Sequence, residues 1–275
     1  MRLTAVGGIR VTTLRPVIAG LTALVLMVVV GGAGAHGGLS VSAKVAQTTP
    51  TLDGVFSAGE WSDAGSLPVS FPGHAGTLYA KHDANTLYLA LAVADSPPSP
   101  SGSCCAATFY FDNDHDGVKE LNDDAVNVTS GSGANSKSDL YWNGTSNQED
   151  RKSGGSADIV GRSAFDKATG RMVVELSHPL CSGDTRDICG HAGDTLGLTV
   201  DYFAAPGNDL GGYPAAPTDA AHFADLLVEP VTPADTTPPT VSLTGPAADV
   251  GVAAGASVPL TATAADTGSG VRLVR

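Results

Sequence analysis

Between about residues 40 and 228 the chain runs in short segments in which apolar and polar residues alternate or β-branched residues cluster, separated by groups of Gly, Ser, Pro, Asn and Asp. A period near two sends successive side chains to opposite faces of an extended backbone, and no long segment keeps the 3.6-residue period of a helix. The pattern predicts strands over residues 42–46, 67–71, 77–82, 86–94, 107–112, 125–129, 139–143, 157–163, 171–177, 196–204 and 223–228. Asp83-Ala84-Asn85, between two of them, predicts a tight hairpin. About ten strands in roughly 190 residues suit an all-β chain folded as an antiparallel two-sheet β-sandwich. The polar stretches 96–103, 130–138, 144–156 and 205–220 are expected to be long loops, where binding sites on rigid sandwiches usually sit.

The flanks break this pattern. In the first 35 residues the only charges are Arg2, Arg10 and Arg15, an apolar run follows from Val17 to Val30, and Ala33-Gly34-Ala35 supplies small residues. This is the pattern of a secretory signal peptide cut after Ala35, and the apolar run is too short for the roughly 20 residues that cross a bilayer. No stable membrane span is expected after cleavage. At the other end, the Pro- and Thr-rich residues 230–239 cannot continue a helix or a central strand and are predicted to be a linker. Strand-like runs at 240–243 and 258–266 follow, in a segment too short for the roughly 100 residues of an immunoglobulin-type sandwich. The predicted organisation is therefore a leader (1–35), a sandwich domain (36–229), a linker (230–239) and part of a second β domain (240–275).

Charge narrows the partners. The chain has a formal net charge of −13, and removing the leader takes away three arginines and no acid, giving −16. Such a surface repels phosphates and offers no basic stripe, so nucleic acid is excluded as a partner. Four cysteines, Cys104, Cys105, Cys181 and Cys189, suit an oxidising compartment outside the cell. Adjacent cysteines form a strained bridge, so the expectation is that Cys104 and Cys105 each reach across to Cys181 or Cys189. Their spacings match no common zinc pattern.

The densest chemistry lies in Phe111-Asp112-Asn113-Asp114-His115-Asp116-Gly117-Val118-Lys119-Glu120-Leu121-Asn122-Asp123. Asp112, Asp114 and Asp116, with Gly117 for the turn and Asp123 at the twelfth position, follow the spacing of a calcium loop. The carboxylates repel one another unless a cation sits among them. Calcium would take these three, the Val118 carbonyl, Glu120 and Asp123, and the Asp at the last position makes for a loose site, about micromolar at best.

Four landmarks occur in order: Leu52-Asp53-Gly54-Val55 with Gly59-Glu60-Trp61, then Thr86-Leu87-Tyr88-Leu89-Ala90-Leu91-Ala92-Val93-Ala94-Asp95, then Phe109-Tyr110-Phe111-Asp112-Asn113-Asp114, then Arg171-Met172-Val173-Val174-Glu175-Leu176-Ser177-His178-Pro179-Leu180. Together they resemble family 9 carbohydrate-binding modules within the DOMON-like, jelly-roll sandwiches, over about residues 51–228. The tail from Asp235 onward is similar to bacterial immunoglobulin-like repeats. The family resemblance implies a β-sandwich, a structural calcium ion and, in some members, polysaccharide or cell-surface glycan held between aromatic rings. A sugar ring stacks its apolar face on a flat indole. Of the two tryptophans, Trp61 is expected in the core, and Trp142 with Tyr141, at the mouth of a long loop, is the candidate ligand contact, helped by Tyr202 or Tyr213. Some DOMON-like relatives hold haem, for which Met172 with His74, His82, His178 or His222 are the available ligands. The sequence has no nucleophile elbow, no His-Glu-x-x-His and no phosphate-cradling glycine loop, which points to a non-catalytic, secreted binding module, with a ligand-free adhesive spacer as the alternative.

Overall fold

The strand at Thr86–Ala94 carries an almost unbroken apolar run, which in a sheet means burial on both faces rather than one. The computed structural model, which describes residues 36–97, 104–130, 136–204, 208–231, 240–246, 251–254 and 257–265, shows what covers each face. The predicted leader and linker residues 232–239 lie outside the described residues. The sandwich strands are β1 (Ser40–Val45), β2 (Gly65–Phe71), β3 (His74–His82), β4 (Thr86–Ala94), β5 (Cys104–Asp112), β6 (Asp124–Ser130), β7 (Ser136–Trp142), β8 (Asn147–Glu149), β9 (Val160–Asp166), β10 (Arg171–Pro179), β11 (Thr195–Ala204), β12 (Asn208–Tyr213) and β13 (Ala224–Val228).

One layer runs β8-β7-β6-β5-β11-β13-β1 and the other β1-β3-β4-β10-β9, with β12 on the far half of β11 and β2 beside β3. Neighbours are antiparallel except at β1, which is parallel to β13 through Ser40 to Ala43 and then parallel to β3 through Lys44 and Val45. β1 thus joins the two layers, and the wholly buried Ala43 gives the crossing little bulk to accommodate. Between the layers lies the main core, where Leu87, Leu89, Leu91 and Val93 of β4 meet Met172, Val174 and Leu176 of β10 and Phe109, Phe111, Leu198 and Val200 of the opposite layer.

The outer face of β4 is covered as well. Tyr88 and Ala90 pack with Trp61, Ala64, Phe56 and Tyr79, so the segment between β1 and β2 folds across the sheet as a strap. Lys81, fully buried, ties it down by donating to the Thr48 and Glu60 carbonyls at 2.9 and 2.6 Å and to Asp63 at 2.8 Å. Trp61 is 5% exposed, in the core as expected.

Two predicted loops contain more structure than their composition suggests. Residues 144–156 hold β8 and a 3-10 turn at Asp150–Ser153, and residues 205–220 hold β12. Asn-Asp-Leu-Gly-Gly-Tyr has the composition of a turn, and it becomes a strand because β11 extends past β13 and leaves an edge to pair with. The tail forms β14 (Thr240–Gly245) and β15 (Thr261–Ala265), an antiparallel and largely exposed pair. Among the described residues no helix is long and apolar enough to cross a membrane.

Candidate metal centres and ligand surface

Three aspartates and a histidine converge at the end of the sandwich where β6, β7 and β10 present their termini, a meeting that their sequence positions do not announce. Asp124 opens β6, Asp139 lies in β7, His178 is near the end of β10, and Asp187 comes from the loop that follows. All four are buried, and one ligand atom from each lies within 4.8 Å of the others. Asp150 and Asp184 form a second group with Asp187. Some oxygens are satisfied: Ser182 donates to Asp187 Oδ2 at 2.6 Å, the Ile188 amide to Asp124 Oδ2 at 3.1 Å and the Asp158 amide to Asp139 Oδ2 at 3.1 Å. Others are buried with no hydrogen-bond partner, namely Oδ1 of Asp124, Asp139, Asp158 and Asp187, both oxygens of Asp150, and His178 Nε2, which lies 3.7–3.9 Å from Asp124, Asp139 and Asp158.

Buried carboxylates without donors are costly, and the protons respond. Burial, reinforced by the Asp187 charge, pushes Asp124 well above the usual carboxylate range. Burial and then the Asp124 charge raise Asp139 to about 8, and burial and then Asp187 raise Asp150 to about 7. Asp187 itself is raised, chiefly by burial. A divalent cation removes this cost in one step, because oxygens at 2.3–2.6 Å from a common calcium stand up to about 5 Å apart across it. The donor set is carboxylate oxygen from Asp124, Asp139 and Asp187 with one imidazole nitrogen from His178; the oxygens suit calcium, and the nitrogen is the one donor in the set that a softer metal would prefer. These residues fit the ion. A cleft of about 240 Å³ lined by Lys137, Asp139, Glu149, Arg151 and Ile159 among others opens beside the nest.

The cysteines support this nest in a way that differs from the expected pairing. Cys181 is bonded to Cys189, and Cys105 is disulfide-bonded but to neither of them, so no bridge crosses from residues 104–105 to 181–189. The physical reason is topological: Cys181 and Cys189 face one another as an isolated antiparallel pair, closing a short loop that carries Asp184 and Asp187 into the nest.

In the loop read as a calcium site, the structure brings Asp112, Asp114 and Asp116 together, with ligand oxygens within 4.8 Å. Gly117 has φ 82°, where a side chain is strained, and its amide donates to Asp112 Oδ2 at 2.7 Å. Asp112 Oδ1 is buried without a partner, and Asp114 is raised by burial and then by the Asp116 charge. Asp123 faces another way: its Oδ2 accepts the Glu120 amide at 2.8 Å and its Oδ1 the Asn113 amide at 3.4 Å, capping the turn, while burial lifts it to about 6. Glu120 and Val118 are exposed, outside the cluster of three.

Tyr141 and Trp142 are neighbours on β7 and therefore point to opposite faces. Tyr141 is buried, its hydroxyl donating to Ser153 Oγ at 2.8 Å with the Arg186 guanidinium 4.9 Å from the ring centre. Trp142 is half-buried beside the acidic loop, and the Lys119 ammonium lies 4.6 Å from its ring centre and 4.6 Å from that of Tyr110. The two residues cannot form one clamp, Trp61 is committed to the core, and Trp142 shares the Lys119 ammonium with Tyr110. For the haem reading, Met172 is wholly buried in the core and His82 has both ring nitrogens on backbone carbonyls, Asp83 and Glu229.

A family 9 carbohydrate-binding module from Caldicellulosiruptor kristjanssonii in complex with cellotriose is similar to this chain, at 12% identity and a TM-score of 0.49, over 73% of this chain and 97% of that one. A family 9 module from the same organism in complex with glucose gives 12% identity and a TM-score of 0.45, over 71% of this chain and all of that one. No protein-family model and no curated protein matches the sequence.

Proposed function

We propose that the chain is a secreted, calcium-stabilised, non-catalytic module that binds polysaccharide. The observation that carries this is the way the sequence landmarks meet. Glu175, in the last landmark, accepts the Asp53 and Gly54 amides through Oε2 at 3.1 and 2.7 Å and the Trp61 indole N–H through Oε1 at 2.8 Å. Residues that carry the family 9 resemblance from both ends of the domain are thus one construction, which supports the kinship beyond a coincidence of short motifs. The carboxylate nest supports the calcium, with the 112–116 cluster as a second, more exposed position for it.

Trp142, with Tyr110 and Lys119 beside it, is the surface where a pyranose face would stack and its hydroxyls meet polar neighbours. The test is retention on insoluble cellulose, xylan and chitin with calorimetry on soluble fragments, in calcium. Binding to at least one glycan, weakened about tenfold in Trp142→Ala, is expected. No retention on any of them, or a Trp142→Ala protein that behaves like the parent, removes the sugar from the proposal. One observation favours the second reading, a ligand-free adhesive spacer: a lysine already covers a face of Trp142, and the other indole is buried.

A further inference from the structure

His36 is the first residue after the expected leader, and the fold holds its ring as if it had a task. The side chain is fully buried. Strand β11 has a glycine where the ring docks: a Cβ on Gly197 would lie 2.6 Å from His36 Cε1 and 2.8 Å from Nε2. Phe223 stacks on the ring at 6.3 Å between centres. Nε2 lies 2.9 Å from the buried Asp112 Oδ2, and a proton held there would leave Nδ1 free to bind a metal. Nδ1 lies 3.0 Å from Asp225 Oδ1, and His115 Nε2 lies 2.9 Å from that same oxygen. The two imidazoles meet edge to face at 4.2 Å.

From this geometry we infer that His36, His115 and Asp225 bind a copper(II) ion, completed by the free amino group of His36 once the leader is cut after Ala35. This rests on the secretory part of the function proposed above and not on the sugar. Ligand atoms each about 2.0–2.2 Å from one ion stand about 3 Å apart, which is the spacing of Asp225 Oδ1 from each of the two imidazole nitrogens. The donor atoms lie within 4.8 Å of one another, and His115 and Asp225 are 20% and 18% exposed in their side chains, so the ion enters from solvent. His115 has φ 60°, a left-handed conformation that histidine adopts more readily than most residues, at the turn that brings its ring to Asp225. The Asp112 carboxylate behind His36 is the outer partner that orients a metal-bound imidazole. The amine and Nδ1 of one residue close a chelate ring, and two imidazoles with an amine make a nitrogen-rich set. Such a set favours copper(II) over zinc and does not attract calcium.

The experiment uses the full chain made with its own leader, exported and recovered from the medium, with its N-terminus sequenced. Copper(II) is titrated in calcium-containing buffer by calorimetry and followed by electron paramagnetic resonance. Two variants accompany it: His115→Ala, and a chain with one alanine inserted between the cleavage point and His36, which keeps both rings and moves the amine away. Melting curves in calcium establish that each is folded. The expected result is a chain beginning at His36 that binds one copper with nitrogen couplings in its spectrum, and a loss of affinity of about 100-fold or more in both variants, since even outer partners contribute about 10–100-fold. A chain that begins at His36 yet binds copper no tighter than the inserted-alanine protein overturns the site. A chain that begins elsewhere overturns the cleavage reading and the amine ligand together.

Discussion

Three N–H groups lying 114 to 122 residues earlier in the chain meet on the single carboxylate of Glu175. Burial outweighs these donors and raises Glu175 to about 7 from 4.5. A folded value above the unfolded one means that the native state holds a proton the unfolded state has lost. The contribution is therefore full below about pH 4.5 and is lost as pH rises through about 7. Glu175→Gln cannot titrate, so its unfolding free energy, measured by denaturant at several pH values, should fall less steeply than the parent's between pH 5 and 7; equal slopes would remove Glu175 from this role. Gly54, which feeds this carboxylate, has φ 81°, and a Cβ there would sit 2.7 Å from Ala164 Cβ and 2.8 Å from its backbone nitrogen. Gly59 has nearly the same φ, 82°, but its nearest neighbour would be Ser62 Oγ at 3.9 Å. Gly54→Ala should therefore cost about 1–3 kcal/mol more than Gly59→Ala, read as a shift in denaturant midpoint at unchanged slope.

Elements were legible in the sequence wherever their information is local. The strand from Thr86 to Ala94 matches its predicted bounds because its apolar run is continuous, and the Asp83 hairpin forms because Asp83 Oδ1 accepts the Asn85 and Thr86 amides. The Asp112, Asp114 and Asp116 cluster was legible for the same reason, as five consecutive residues carry it. The nest was not: its acids are scattered over β6, β7, the 3-10 turn and the 181–189 loop, and an Asp in a polar stretch has the signature of a turn. His36 and Asp225 carry no local signal either, since β1 and β13 bring them together only through their pairing. The cysteine pairing went the other way, from long closures to a short one. A loop with a separation of 8 residues removes less unfolded-state entropy than one of about 80, so the Cys181–Cys189 bond contributes about 2.5 kcal/mol rather than about 4. Cys181→Ser with Cys189→Ser should lose about that much in denaturant unfolding, and should also need more calcium to reach its plateau melting temperature, because Asp184 and Asp187 lose their anchor. A variant with the parent's calcium response would separate the bridge from the nest.

Across the whole molecule the acid excess, a formal net charge of −13, is not spread evenly, since several of its carboxylates are packed where water cannot screen them. Asp139 at about 8, Asp150 at about 7, Asp201 at about 6 and the raised Asp124 and Asp187 all have folded values above the 3.8 of an exposed aspartate, with burial the first cause in each case. Between about pH 4 and pH 8 the metal-free native state thus binds more protons than the unfolded chain, so its stability falls as pH rises through that window. In the proposed site calcium would compete with protons for the same oxygens and would win at the alkaline end, where the carboxylates are ionised. Millimolar calcium at a site between about micromolar and 0.1 mM adds about 1.5 to 4 kcal/mol, or roughly 3 to 15 °C in melting temperature for a domain of this size. The gap between calcium-loaded and chelated protein should be widest near pH 8 and close toward pH 5, with the chelated protein melting higher as the medium is acidified. Asp139→Asn with Asp187→Asn should raise the melting temperature of the chelated protein at pH 8 and abolish most of the gap, whereas Asp114→Ala with Asp116→Ala, in the more exposed loop, should leave the greater part of it. If the loop variant removes the whole gap, the nest is neutralised by protons alone, and calcium belongs to residues 112–116.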